Sequence, residues 1–517
     1  MFGKLLVGAC CGLAAAPMYR SSSTCHADAP TLNAIMDPRK DVPPINCVVI
    51  GGGYSGSKVA YQLDSIFNVT LIDTKNFCEI TSDIIPIISS PWSEKNEDAC
   101  RKLQVLHRYY LKRANVLTGV ANHVSDTEVS MSDGRTVPYD ILVVATGEKK
   151  AFPFSTKQKT VSGRVAELKA FNQFLGTSKQ VAIVGAGPMG VSLAAQLSED
   201  RPELQVHLFH SSGTILPNLP DVAQDYALQH LRKCKNVTLH LAEEVTGITT
   251  TPATDAQAAA KALVSSTSNA PLSGSSWFSR LFRRNEDSSR DSVVIPEKFH
   301  LDVNHLEYEP KPVQSIVSQI YFGKRNELGA SRVVATETIR DFDYVFNVGG
   351  DTPQPIESGL LSSHLSPDTH LKVSTLMQVF DHHNIFVVGR CNNLPWCRGL
   401  GSSDLQARAL FRMMNSIVNS TNPKLLTSSD GLRLDRLVVP RLLVKLGNTD
   451  ACGSTPWSGS MTGVNALREF IQDRGHLQRE FISPIFYKQQ DPARVHKRVT
   501  EWKLEDMTDI TDFSHSQ

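Results

Sequence analysis

Two glycine-rich turns, Gly51-Gly52-Gly53-Tyr54-Ser55-Gly56 and Gly185-Ala186-Gly187-Pro188-Met189-Gly190, stand a domain's length apart in the 517-residue chain. Each follows a short apolar run and opens a helix-like stretch. One such turn constrains little. Two of them in this setting point to two strand–turn–helix units, each shaped to hold a dinucleotide at a helix N-terminus.

The first unit is complete. Asn46-Cys47-Val48-Val49-Ile50 reads as a buried parallel strand rich in β-branched residues. Gly51 permits the tight turn, Gly53 lets backbone approach a pyrophosphate, and Gly56 lets the helix pack close to the strand. The helix continues through Ser57 to Leu63, and a second strand, Val69-Thr70-Leu71-Ile72, ends in Asp73. That acid falls about 20 residues past the glycines, where the fold places a ribose-binding carboxylate.

The second unit repeats the layout with one gap. Gln180 to Val184 is the strand, Val191 to Leu197 begins the helix, and Gln205 to Phe209 is the next strand. It ends in His210-Ser211-Ser212, with neither an acid for a ribose diol nor an arginine for a 2′-phosphate. The choice between NADH and NADPH therefore stays open, and so does a unit that keeps the fold without binding.

Net charge is +1, so no basic field argues for nucleic acid. Ten cysteines show no Cys-x-x-Cys or Cys-x4-Cys pair after the first unit, which argues against a thiol–disulfide reductase. Cys391 and Cys397 lack histidine partners at metal-like spacing, and no metal site is expected. Met1 to Ala27 carries Lys4 and Arg20, no acid, and an apolar stretch from Leu5 to Ala16. It fits a mitochondrial presequence or a secretory signal, and the serines, the arginine and the missing acids favour the mitochondrion.

The expected class is α/β, with two Rossmann-like dinucleotide-binding domains, the second inserted into the first, and a small C-terminal α+β domain. The expected boundaries are a targeting segment over 1–27, first-domain parts over 45–150 and 351–425, the second domain over 178–350, and a tail over 426–517. Glu128 to Val137 reads as a hairpin turning at Asp133-Gly134. Asp140 to Ala145 reads as a strand delivering Thr146-Gly147, and a short bridging helix runs near Val165 to Phe174. Residues 250–295, rich in Ser, Ala, Thr and Asn, read as a disordered insertion. Within it, Trp277 to Arg284 mixes aromatic and basic residues; a solvated loop is the stronger reading and a membrane-surface contact the weaker. Later strands are expected at Ser315–Phe322, at Phe342 to Gly350 and at Asn384 to Gly389, followed by a helix from Ser403 to Val418. Apolar runs at Leu437 to Val439 and Leu442 to Val444 belong to the tail, and nothing signals an oligomeric state.

In this order the parts resemble the two-dinucleotide FAD/NAD(P) oxidoreductases. The chain looks most like flavoproteins of the apoptosis-inducing-factor and ferroptosis-suppressor type, neighbours of the type II NADH dehydrogenases. Asp73-Thr74-Lys75-Asn76-Phe77, His210-Ser211 and Leu446 to Gly453 are the narrower points of similarity. The resemblance implies bound FAD, reduction by NADH or NADPH, and electron delivery to a quinone-like acceptor at a membrane surface. The cofactor-binding positions are then Gly51, Gly53, Tyr54, Ser55, Gly56, Asp73, Lys75, Ala145, Thr146, Gly147, Gly389 and Arg390 on the first unit, and Gly185, Gly187, Pro188, Met189, Gly190 and Gly349 on the second. The flavin carries the chemistry, and no Ser-His-Asp set or general-base pair stands out; His207, His382 and His383 read as ordinary strand and loop residues.

Two positions depart from that pattern. The family reads Gly-Asp where this chain has Gly389-Arg390, and an arginine has donors only. Ser192 stands where the family often places a glutamate near the nicotinamide. The alternative they favour is a catalytically weak flavoprotein that serves as a scaffold or nucleotide sensor.

Overall fold

In the computed structural model, residues 44–111, 113–252, 297–312, 326–350, 353–356, 358–394, 400–419, 442–455 and 459–471 are described. The targeting segment, most of the insertion with Trp277 to Arg284, the expected strand Ser315–Phe322, Cys397 and the run Leu437 to Val439 lie outside them.

The β-branched run forms β1 (Asn46–Ile50), and the glycine turn leads into α1 (Tyr54–Leu63). Next come β2 (Asn68–Asp73), β3 (Asn115–Thr118), β4 (Ile141–Val144) and α2 (Val161–Leu175). The second glycine turn joins β5 (Gln180–Val184) to α3 (Pro188–Asp200), followed by β6 (Gln205–His210), α4 (Asp221–Lys233) and β7 (Val237–Leu241). Three longer strands follow, β8 (Glu243–Pro252), β9 (Glu297–Pro312) and β10 (Asn326–Phe342), and then β11 (Tyr344–Asn347). The chain closes with β12 (Ile385–Val387), α5 (Leu400–Asn419), β13 (Leu442–Leu446), β14 (Asp450–Thr455) and β15 (Gly459–Thr462).

One sheet runs β12-β4-β1-β2-β3 and a second runs β7-β6-β5-β11, with every pair parallel. β12 joins the first sheet only after the whole second sheet has been laid down, so the second unit is inserted in the first. Parallel sheets are covered on both faces, which is why their strands read as continuous apolar runs. Val48, Val49, Leu142 and Val143 are buried in one core, and Val181, Ile183, Val206 and Leu208 in another.

Several expectations hold. The hairpin forms from Glu128–Met131 and Thr136–Pro138 and turns at Gly134 with φ +87°. Leu442 to Val444 lies in β13, and β13, β14 and β15 form an antiparallel sheet followed by a helix over 463–471. That tail is bonded back onto the second unit, where Asn448 N–H donates to Glu199 of α3 and the Tyr226 hydroxyl of α4 donates to Asp450.

Others are corrected. The bridging helix α2 starts at Val161 rather than Val165, because the Thr160 hydroxyl caps it by accepting from Gly163 N–H at 3.3 Å. Thr250 to Pro252, assigned to the insertion, finish β8. The antiparallel meander β8-β9-β10 was not anticipated. Its signal is the alternation of Phe299, Leu301 and Val303, all buried on one face and separated by polar residues.

Candidate functional site

Backbone geometry builds the first cradle. Gly51 has φ +99°, and a Cβ there would stand 2.4 Å from the Ala145 carbonyl oxygen. A Cβ on Gly56 would stand 1.8 Å from the Gly51 carbonyl oxygen, so only glycine lets α1 return this close to the turn. Gly53 differs, because a Cβ there would meet nothing within 4 Å. The second turn repeats this. A Cβ on Gly190 would stand 1.8 Å from the Gly185 oxygen, one on Gly185 would stand 2.5 Å from the Gly349 Cα, and Gly187 faces open space.

Both helices that open from these turns lack a side-chain cap. Gly53 and Gly187 are their N-caps in extended conformation, neither first turn holds an acid, and Pro188 occupies the first turn of α3. The first N–H groups of a helix have no intrahelical partners and carry the positive end of its dipole. Left uncapped over open space, the two termini suit a diphosphate.

Asp73 closes the rim of the first cradle. Its Oδ1 accepts from Thr74 N–H at 2.7 Å, and its Oδ2 lies 3.0 Å from His107 Nε2. His107 is fully buried, and its Nδ1 contacts the Tyr110 hydroxyl at 2.7 Å. A Cβ on Gly52 would come within 2.6 Å of both Asp73 Oδ2 and His107, which sets the acid directly against the loop. A carboxylate offers about four acceptor positions, so Asp73 keeps capacity for a ribose diol while His107 fixes its orientation. Lys75 lies 5.4 Å from the centroid of the Phe77 ring.

On the other side, β4 delivers Ala145, Thr146 and Gly147, the last with φ +72°. Gly389 has φ +86°, and a Cβ there would stand 2.7 Å from Ser55 Oγ, so the turn after β12 meets the first turn of α1. Arg390 turns to Glu148, with Nη1 2.6 Å from Oε1. Glu148 is buried and also pairs with Lys150, whose Nζ lies 3.5 Å from the Met189 sulfur of the second turn. The positions after the Ala-Thr-Gly strand thus link the mouths of the two cradles. The second oxygen of Glu148, Oε2, is buried and accepts no hydrogen bond. At the second cradle His210 ends β6, and its Nε2 is likewise buried and unbonded. Burial pushes the His210 pKa below the ordinary histidine range, keeping the imidazole neutral.

The structure therefore brings the sequence-selected residues into two groups, with Gly51, Ser55, Gly56, Ala145 and Gly389 around one turn and Gly185, Gly190 and Gly349 around the other. The open cradles, the uncapped helix termini and the unbonded Glu148 and His210 atoms fit two dinucleotides. Sequence reading missed His107, Glu148 and Lys150. Glu148 and Lys150 could have been found from their place just past Thr146-Gly147, but nothing local marks His107 as the partner of Asp73. The described cysteines are free. Burial raises Cys78 to about 11, Cys100 to about 12 and Cys452 to about 12, so these thiols stay protonated at neutral pH.

Two parallel sheets, each opening on a glycine-lined cradle, make this a two-dinucleotide-binding architecture. Residues 46–267 match the family described as pyridine nucleotide-disulphide oxidoreductase. The chain is related to apoptosis-inducing factor homolog B of Dictyostelium discoideum, at 27% identity over 208 residues, 38% of this chain and 52% of that one. It is similarly related to human ferroptosis suppressor protein 1, at 27% identity over 218 residues, 40% of this chain and 55% of that one. The chain thus spans about half the length of the curated relatives it matches. NDH2 from Plasmodium falciparum, solved with NADH, shares the fold at 12% identity with a TM-score of 0.54, covering 86% of this chain and 99% of that one. The sulfide:quinone oxidoreductase of Aquifex aeolicus does so at 14% identity and 0.53, covering 86% and 96%. The resemblance read from the motifs is borne out.

Proposed function

We propose that the protein is an FAD-dependent NAD(P)H oxidoreductase that passes electrons to a quinone-like acceptor. One observation carries this reading. Two helix N-termini, both uncapped and both opening over a glycine with free space at its Cβ, are built on separate parallel sheets of one chain. FAD would rest on Gly51, Gly53, Tyr54, Ser55 and Gly56, with Asp73 taking the ribose and Ala145, Thr146, Gly147 and Gly389 lining the far side. NAD(P)H would rest on Gly185, Gly187, Pro188, Met189, Gly190 and Gly349. FAD held there would supply the redox chemistry, that of accepting hydride from a nicotinamide and releasing electrons to an acceptor.

The protein's own groups hold and orient. Arg390 and Lys150 share the single carboxylate of Glu148, so a net positive charge is left at the mouth of the first cradle. Lys150 ties that mouth to Met189 of the second. At the end of β6 a neutral His210 supplies neither an acid for a ribose diol nor a cation for a 2′-phosphate, so this strand end does not select between NADH and NADPH. The fold shared with a sulfide:quinone oxidoreductase supports a quinone-like acceptor. The serines, the arginine and the missing acids of residues 1–27 support a mitochondrial site of action, and the family resemblance supports action at a membrane surface. Among the described residues no helix is long and apolar enough to cross a membrane.

A visible spectrum of the purified protein, followed by anaerobic addition of NADH or NADPH, tests this. Flavin absorbance that bleaches with either nucleotide is the expected result. A colourless protein that cannot be reconstituted with FAD overturns the proposal, and a yellow one that never bleaches leaves the scaffold reading.

A further inference from the structure

The step from β7 into β8 gathers three histidines and two glutamates into one line of contacts, outside both cradles. His207 Nδ1 lies 3.1 Å from His240 Nε2, and His240 Nδ1 lies 3.0 Å from Glu243 Oε2. The other oxygen of Glu243 is 3.8 Å from His305 Nδ1, and His305 Nε2 is 3.1 Å from Glu337 Oε1. We propose that Glu243, His305 and Glu337 bind a divalent transition-metal ion of the zinc class, with His240 holding Glu243 from behind.

Sheet register assembles the three ligands. Glu243 of β8 is paired directly with His305 of β9, so their side chains share a face. Glu337 of β10 is paired with Val303, two residues before His305 and therefore on that same face. One ligand atom from each residue lies within 4.8 Å of the others. The short spacings of 3.8 and 3.1 Å use different nitrogens of His305, and an ion takes only one of them. A tetrahedral ion with bonds of about 2.0–2.1 Å needs donors about 3.4 Å apart, so the three side chains draw inward from their present spread when the ion binds.

The support behind Glu243 is of the kind that metal ligands have. His240 stacks flat on Phe209, with centroids 4.1 Å apart and planes at 11°, and is bonded on its other nitrogen to His207. Between His240 and Glu243, Ala242 adopts φ +57°, a strained conformation for a residue with a Cβ. It is held there by its N–H to Ser212 and by its carbonyl, which accepts from Leu306 N–H of β9 at 2.7 Å. Two carboxylates and one imidazole, with no thiolate, favour a borderline ion such as Zn²⁺ or Co²⁺ over a soft one. His305 is about a third exposed and Glu337 about half, so the ion can enter and keep coordination positions for water.

Full-length protein without an affinity tag, stripped with EDTA, is titrated with Co²⁺ and followed by visible absorption, then back-titrated with Zn²⁺. Saturable binding of one Co²⁺ displaced by Zn²⁺ is expected. His305→Gln and Glu337→Gln each weaken it at least tenfold, and His240→Phe, which keeps the stack on Phe209, weakens it about ten- to a hundredfold. Far-UV circular dichroism of each apo variant must match the parent. Absence of saturable binding, or binding unchanged in His305→Gln, overturns the site, and unchanged binding in His240→Phe overturns the supporting role of that histidine. These outcomes are independent of flavin bleaching.

Discussion

At the scale of single residues, the first glycine turn contains two positions that ask for glycine for opposite reasons. Gly53 has ordinary φ and empty space where a Cβ would go, while a Cβ on Gly56 would strike the Gly51 backbone at 1.8 Å. The same substitution should therefore fail differently. Gly53→Ala costs about 0.5–1 kcal/mol as a poorer helix cap but intrudes on the space for a diphosphate. It should stay folded and lose flavin on gel filtration. Gly56→Ala drives backbone into backbone and should lower stability by about 1–3 kcal/mol or more, giving a reduced melting temperature whether or not FAD is added. Equal melting temperatures for the two variants would sink this reading. Their motif made these glycines legible in the sequence, because their roles depend on neighbours within the turn. His107 was not legible. It reaches Asp73 from a separate short helix, and the distance between them exists only after folding.

At the scale of elements, the helix α2 shows how a buried charge fastens a connection. Arg164 is fully buried and donates to both oxygens of Glu79 at 3.0 and 3.1 Å, and to Glu167 at 2.7 Å. Gln104 also donates to Glu79. These bonds tie α2 to the segment between β2 and β3, beside the carbonyls of Ile87, Ile88 and Ser90 that accept from Asn172 of the same helix. Arg164→Leu leaves two carboxylates facing each other without a counter-charge. It should cost about 3–5 kcal/mol of unfolding free energy, read by urea denaturation. Loss below about 1 kcal/mol would mean the pair is dispensable. The existence of α2 was legible from its apolar spacing, but its start was displaced because the cap at Thr160 precedes the apolar residues. The meander β8-β9-β10 went unread because its outward face is crowded with charged and polar residues, which hides the inward alternation of Phe299, Leu301 and Val303.

At the scale of the molecule, the order of parts was legible because each parallel sheet is specified by consecutive strand–helix units. The return of β12 to the first sheet was legible because its Ile-Phe-Val-Val-Gly run mirrors the end of β4. Where the chain gathers far-separated polar groups, the sequence was silent, and there the folded protein acquires its pH dependence. Burial lowers the pKa of His207, His210 and His364 below the ordinary value of 6.5. The sign follows from linkage. Below about 6.5 the unfolded chain takes up protons on these imidazoles while the folded chain resists until its lower pKa values are reached, so the unfolded state binds more protons. Their contribution is complete above 6.5 and is lost as pH falls toward the folded values. Asp133, Asp343 and Asp368, held below 3.8, add a second loss only in stronger acid. Unfolding free energy should therefore be flat just above pH 7 and decline between about 6.5 and 5, before Asp133, Asp343 and Asp368 titrate. His210→Gln, which removes an imidazole whose Nε2 is buried and unbonded, should make that decline shallower. Stability that holds level or rises on acidification from pH 7 to 5.5 would contradict the neutral, half-buried state of these histidines.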